Sequence, residues 1–298
     1  MHTDFPPSVE VREAEERDSR RIFVLLVTLV AAAAGAVTWA VWFFFVPAAQ
    51  RLETDAAVDD AVVCQAMISD HLAHLRATAL DWANWDALES HALSPTTAFR
   101  EENFTPAALR NLGLHGVALF DTNGQLVDYL IEDEARFAEC TPQCVTDATA
   151  ALRARSISSG QADAAPVAFR NIVMLGGTAP VHGNDLAPPS AGQLVFLRLL
   201  TDGHFSLEAK KRGIQATLIP PEVKVVPSGP RSRETAAQVV VTQSLPGIDG
   251  DVAQIEVTSE AGHVRLAREA FFRTAFAAIV ISLILIALGH HALVRLRS

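Results

Sequence analysis

Between Ile22 and Val46 the chain runs for 25 residues without a charged side chain. Few structures can hold such a run. A bilayer core about 30 Å thick takes about 20 apolar residues of helix to cross, so this segment is long enough to span. It closes on Trp39, Trp42, Phe43, Phe44 and Phe45, side chains of the kind that collect at a membrane–water interface. Val46-Pro47-Ala48 has the small outer residues of a signal-peptide cleavage site. The apolar core of such a peptide, however, is only about 7 to 15 residues long, and length therefore favours an uncleaved anchor.

A second apolar run extends from Ala275 to Leu288, and on to Val294 when Gly289, His290 and His291 lie in the headgroup layer. With Phe271 and Phe272 in front and Arg273 able to reach back toward water, about 20 residues are available for a second span. Arginines mark both outer flanks: Arg12, Arg17, Arg20 and Arg21 before the first run, Arg295 and Arg297 after the second. Positive charge stays on the cytoplasmic side, so both ends are expected there. The expected organisation is a cytoplasmic tail at 1–21, a membrane helix at 22–46, an extracytoplasmic domain at 47–270, a second membrane helix at 271–294 and a short tail at 295–298, in a bacterial cell membrane.

The region between the spans carries 17 Lys plus Arg against 28 Asp plus Glu. An acidic surface repels polyanions, which excludes nucleic acid as a partner. Of the three cysteines, Cys140 and Cys144 are close enough in sequence to close a small disulfide in an oxidising compartment. Zinc would need about four ligands, and no His lies near that pair.

From about Gln50 to His91 there is neither Pro nor Gly, and Val58, Ala61, Gln65, Ile68, Leu72, Leu75, Ala79 and Trp82 recur at steps of three and four. This pattern predicts one long helix of roughly 60 Å. Its stripe is available to the domain itself and to a homodimer partner. His71 and His74 lie on the same helix without a third metal ligand at a telling spacing, and are expected on a solvated face. Thr105 and Pro106 open a short helix that Gly113 ends. The apolar runs on either side of Asp121–Gly124 predict a hairpin, in which Asp121 bonds its own turn. A helix is expected at Thr146–Arg155, strands at Ala168–Leu175 and Gln193–Leu200, and another helix at Phe205–Gly213. An irregular Pro-rich stretch is expected at Ile219–Arg233, and final strands at Gln238–Gln243 and Val252–Thr258. A helix followed by an antiparallel sheet interrupted by short helices is an α+β layout.

The blocks Leu80-Asp81-Trp82-Ala83-Asn84-Trp85-Asp86, Glu102-Asn103-Phe104 and Asn111-Leu112-Gly113 running into Val117–Gly124 resemble, in order and spacing, the CHASE4 extracytoplasmic sensory domain. The clear motifs cover about residues 80–130, and a looser likeness reaches about 218. The resemblance implies an α+β domain with a long N-terminal helix and a PAS-like or Cache-like antiparallel sheet. It also implies a signal-input role, since family members feed diguanylate cyclases, phosphodiesterases or histidine kinases. Residues 219–268 have no counterpart in that pattern.

Two indoles and a carboxylate at steps of three and four would share one helix face, so Trp82, Trp85 and Asp86 are candidates to wall a pocket for a small amine-bearing or hydroxylated ligand. Asn103 is a further candidate contact. The same residues serve equally to join helix to sheet, with Asp86 bracing the following loop. Phosphate loops, nucleophile elbows and zinc-protease motifs are absent from the sequence. The expectation is therefore a sensor without enzymatic activity or cofactor, signalling through a separate partner such as a diguanylate cyclase or histidine kinase. The alternatives are a ligand-free envelope accessory protein that acts by surface contacts, and an envelope enzyme with an unfamiliar site.

Overall fold

The computed structural model describes residues 9–132, 142–169, 172–184, 189–220, 231–234, 238–248, 250–260 and 262–297. These divide into two compact units, one made of the two ends of the chain (Met1–Asp55 and Glu260–Ser298), the other of Ala56–Ser259.

In the first unit, α1 (Val9–Ala40) passes through a π-helical stretch (Val41–Phe45) into α2 (Val46–Ala83). The residues flanking the π stretch, Ala40 and Val46, are both right-handed helical, so the axis is not broken. The last helix, α8 (Gly262–Arg297), packs along α1, and Trp42 meets Phe271 with ring centroids 4.9 Å apart. Both helices are long and apolar enough to cross a membrane, and their apolar windows are unburied within the protein. Ala49 and Val264 form a small buried contact of their own.

The second unit is α+β. After α2 come three short helices, α3 (Asp86–Leu93), α4 (Thr97–Asn103) and α5 (Pro106–Leu112). Thr96 caps α4 through Phe99 N, and Thr105 caps α5 through Ala108 N; Gly113 ends α5 at φ 64°. The hairpin β1 (Gly116–Asp121) and β2 (Leu126–Ile131) follows, then α6 (Pro142–Ser159), β3 (Asp163–Phe169), β4 (Ile172–Val181) and β5 (Gly192–Leu199). These strands form an antiparallel sheet in the order β2-β1-β5-β4-β3, and the α+β layout is as expected from the sequence. The expected strand at 168–175 is instead divided between the ends of β3 and β4, which pair with each other from Asp163↔Thr178 to Phe169↔Ile172. Arg170 and Asn171, the polar pair inside that otherwise apolar run, stand between the two strands in sequence.

After α7 (Asp202–Lys211) comes a second sheet of β6 (Ala216–Ile219), β7 (Arg231–Glu234), β8 (Gln238–Pro246) and β9 (Asp251–Glu260), ordered β6-β9-β8-β7. Within the stretch expected to be irregular, residues 221–230 lie outside the described residues; its two ends are strands.

Of the predicted stripe of α2, Ala61, Ile68, Leu75 and Ala79 are buried and Val58, Gln65, Leu72 and Trp82 half-buried, with Ala57, Cys64 and Met67 buried beside them. Ala57, Ala61, Cys64, Met67, Ile68, Leu75 and Ala79 belong to one buried cluster with Val117, Leu119, Leu175 and Phe196 of the first sheet and Leu218, Val241 and Ile255 of the second. Gln65, the polar lapse in the stripe, donates Nε2 to Ser244 O at 3.3 Å. The buried part of the stripe thus packs inside this unit. Each fully buried Leu or Ile adds about 1.5–3 kcal/mol of hydrophobic stabilisation.

Two adjacent glycines in β4 let helices approach both faces of the first sheet. A Cβ on Gly177 would lie 2.8 Å from Leu75 Cγ and 3.0 Å from the Leu75 backbone; one on Gly176 would lie 2.7 Å from Leu152 Cδ2 of α6 on the other face.

Candidate functional site

The helix that should carry Trp82, Trp85 and Asp86 on one face stops at Ala83. Trp85 is extended (φ −84°, ψ 126°) and sits at the N-terminal boundary of α3, so the three residues do not share a helix face. They still meet, by a different route. The break turns the chain so that the Trp85 ring stacks on Trp82 with centroids 4.5 Å apart at 21°, and Trp82 in turn meets Phe196 of β5 edge-on at 5.4 Å. Trp82 is half-buried against the core, whereas Trp85 is 36% exposed. The aromatic column thus runs from the sheet outward, with its last face open.

Asp86 lies at the start of α3, where its charge complements the free N–H groups of the first turn. Its Oδ1 accepts the Asn184 backbone N–H and its Oδ2 the Asn184 Nδ2, each at 2.7 Å. These two bonds hold its carboxyl below the usual carboxylate range. The same turn is tied by His182 N to Ala83 O at 3.1 Å. It also passes so close to α3 that a Cβ on Gly183 (φ 63°) would collide with Glu89 and meet Asp86. Asp86 therefore fastens the turn after β4 to the helix break. Asn103 donates Nδ2 to Phe99 O at 3.1 Å within α4, a local helical bond.

Cys144 near the start of α6 is disulfide-bonded, and Cys140, its expected partner, lies outside the described residues. Cys64 is a free, buried thiol; burial, and then Asp60 nearby, push its pKa up to about 11.

Three polar groupings inside this unit escaped the sequence pattern. His91 of α3 accepts Thr96 N–H at Nδ1 (3.0 Å), which leaves Nε2 to donate to Asp128 Oδ2 of β2 (3.2 Å). Arg100 approaches the other oxygen of Asp128 at 3.5 Å. The His91 ring stacks on Phe99 at 4.5 Å, so an ion-dipole tie crosses an aromatic cluster and joins α3, α4 and β2. His71, expected on a solvated face, instead bonds Glu208 of α7 at 2.8 Å, and Arg198 of β5 approaches its Nδ1 at 3.3 Å. Arg198 also donates to Gly113 O and Leu112 O at the end of α5. Arg153 of α6 is buried, with its guanidinium carbon 3.8 Å from the Phe120 ring centroid and its N–H groups on Thr149, Gly124 O and Thr146 O; burial lowers its pKa. Nothing in a lone Arg, His or Asp signals the partners that tie one element to another, because Asp128, Glu208, Arg198 and Gly124 lie tens of residues from the groups they meet.

A cleft of about 310 Å³ opens where β4, β5, α7 and β6 converge, lined by Val173, Leu200, Asp202 and Leu218 among others; Trp82, Trp85, Asp86 and Asn103 are not in its wall. Among the described residues no group of three or more His, Cys, Asp or Glu is placed to hold a metal ion.

Helices α3 to α7, the first sheet and the Trp82–Asp86 break all fall inside one recognisable segment, because residues 67–212 match the family model described as the CHASE4 domain. The chain carries a CHASE4 domain. Its boundaries run from the middle of α2 to the end of α7, so the second sheet lies beyond it. Among curated proteins none matches the sequence. Solved structures similar to the chain include the periplasmic domain of Vibrio cholerae LuxQ, at 13% identity and a TM-score of 0.47 over 68% of this chain and 99% of that one. They also include a domain of a sensory box/GGDEF family protein from Vibrio parahaemolyticus, at 10% and 0.47 over 72% and 98%. The sensory domain of the Campylobacter jejuni chemoreceptor Tlp3 is similar at 12% and 0.44 over 74% and 99%. The family match alone assigns the CHASE4 segment.

Proposed function

We propose that this protein is a membrane-anchored extracytoplasmic sensor, a signal-input module without enzymatic activity. It crosses the membrane twice with both termini in the cytoplasm, takes a small ligand outside, and passes the change to a separate signalling enzyme. The observation that carries this reading is a CHASE4 domain lying between two helices that are each apolar enough to span a bilayer. The ligand site in this reading is the outer face of the Trp82–Trp85 stack, where an aromatic wall offers dispersion and, to an amine, attraction to the ring face. Asp86 acts there by holding the 182–184 turn beside the rings. Ligand binding can shift a conformational equilibrium only through unequal affinity for its two states, and the turn that joins α2, α3 and β4 supplies the contact that differs.

The test is thermal unfolding of the full chain in lipid nanodiscs against a library of amines, amino acids and small organic acids. A compound that raises the melting temperature of wild type but not of Trp85→Ala supports the site. A companion check places a periplasm-dependent reporter after Leu130, where it should be active, and after Ser298, where it should be silent.

One observation favours a second reading. Both oxygens of Asp86 are already engaged by Asn184, which suits a ligand-free accessory protein acting through its surface. An intact fold that no compound stabilises would select it.

A further inference from the structure

The first residues of an α-helix leave about four backbone N–H groups without intrahelical acceptors. At the start of α8 two of them are received by a side chain from another helix. Glu53 of α2 is 3% exposed, and its Oε1 accepts the N–H of His263 and, at 3.2 Å, that of Val264. A carboxylate in this position is also favoured by the helix dipole. The contact is reinforced by Ala49 against Val264, with Ala267 packed on them. Glu53 is thus the N-terminal cap of α8, supplied from more than two hundred residues earlier in the sequence.

The cap leaves two loose ends. Glu53 Oε2 is buried without a hydrogen-bond partner, and so is Nε of Arg268. Arg268 stands four residues, one helical turn, beyond Val264, and the shielded positions Val264, Ala267, Arg268 and Phe271 fall on one face of α8. Glu53 of α2, held at Val264, carries a buried acceptor without a partner, and Arg268, one turn further along that face of α8, carries a buried donor without one; they are two halves of a contact that this conformation does not make. A buried polar atom left without a partner is costly, and a charged hydrogen bond between the two would satisfy both.

We propose that Glu53 is a latch between the two membrane helices, capping α8 in the state seen here and passing to Arg268, one turn further along, in a second state. One-turn displacements of an element past its neighbour are an established form of conformational switching. Here the carboxylate would trade two backbone N–H groups for a guanidinium. In sequence the latch adjoins both junctions between the two units, since the first unit ends on α2 at Asp55, two residues after Glu53, and resumes at Glu260, two residues before α8. The latch rests on the reading of α1 and α8 as membrane helices and needs no ligand.

The test is hydrogen exchange, read by mass spectrometry, on the full chain in lipid nanodiscs. In Glu53→Ala, exchange across 263–267 should rise about tenfold, the factor expected for losing a charged cap, while peptides from β1, β4 and β5 keep wild-type protection. Glu53→Gln retains an acceptor without the charge and should fall between the two. Arg268→Gln removes the second partner and should slow exchange across 263–267 below wild type. Unchanged exchange in Glu53→Ala would overturn the cap, and unchanged or faster exchange in Arg268→Gln would overturn the second state. Failure of the membrane-helix reading would show separately, as fast exchange across 275–288 in lipid.

Discussion

Asp86 and Asn184 are joined by two hydrogen bonds of 2.7 Å, one to the backbone N–H and one to the side-chain amide of Asn184. The carboxylate that the sequence offers as a ligand anchor is therefore a clasp between α3 and the turn after β4. Asp86→Asn keeps the shape but replaces one acceptor with a donor that faces the Asn184 amide, so one of the two bonds is lost. The mutant should melt below wild type while its response to any stabilising compound is unchanged. A compound whose effect vanishes in Asp86→Asn would restore the anchor role.

The two tryptophans should respond unequally. Trp82 bridges Phe196 and Trp85, so Trp82→Ala should cost about 3–5 kcal/mol as a large core truncation. Trp85→Ala removes an outward ring and should cost well under half of that, visible as separate midpoints in denaturant unfolding. Equal losses would mean that Trp85 is structural and that the open ring face has no separate role.

At the centre of β4, Gly177→Ala should be the more damaging of two neighbouring substitutions. Its Cβ would press on Leu75 backbone as well as side chain, whereas on Gly176→Ala the Cβ would meet the far end of Leu152, which can turn aside. Overpacking of this kind costs about 1–3 kcal/mol, and urea midpoints should place Gly177→Ala at or beyond the upper part of that range.

Stability should fall in mild acid. Burial alone would raise the pKa of Glu208, but the hydrogen bond from His71 and the charges of His71, His204 and Arg212 hold it below the ordinary 4.5; Asn184 likewise holds Asp86 below its ordinary 3.8. A carboxyl with a depressed folded pKa binds its proton more readily when unfolded. Its contribution is therefore present above the unfolded value and is lost as pH falls through the folded one. Melting temperatures should decline as pH drops below about 4.5, and the decline should be shallower in the double variant Glu208→Gln, Asp86→Asn. An equally steep decline in that variant would assign the acid response to other groups.

Cys64 should resist alkylation in the folded protein, since it is fully buried with its thiol pKa at about 11, which also removes it as a cross-link between folded chains. If Cys140 is the partner of Cys144, denaturation without reductant should expose one thiol, and reduction should expose three. Three reactive thiols before reduction would dismiss the 140–144 disulfide.

Local rules in the sequence determined much of this protein. An uncharged run of 25 residues, a Thr-Pro helix start, the Asp121–Gly124 turn and the three-and-four repeat of α2 depend on neighbours within a turn or two; the run is helical, the helix start and the turn are in the structure as read, and half of the repeat is buried. What only the tertiary structure decided is how distant polar groups pair. The sequence shows neither that Trp85 leaves the helix, nor that Asp86 is claimed by a turn 98 residues away, nor that His71, Arg198 and Glu208 converge from three elements. The reason is physical: hydrophobic periodicity reports which face of an element is buried, but a hydrogen bond is directional over about 3 Å, and its partner is fixed only once the elements have packed.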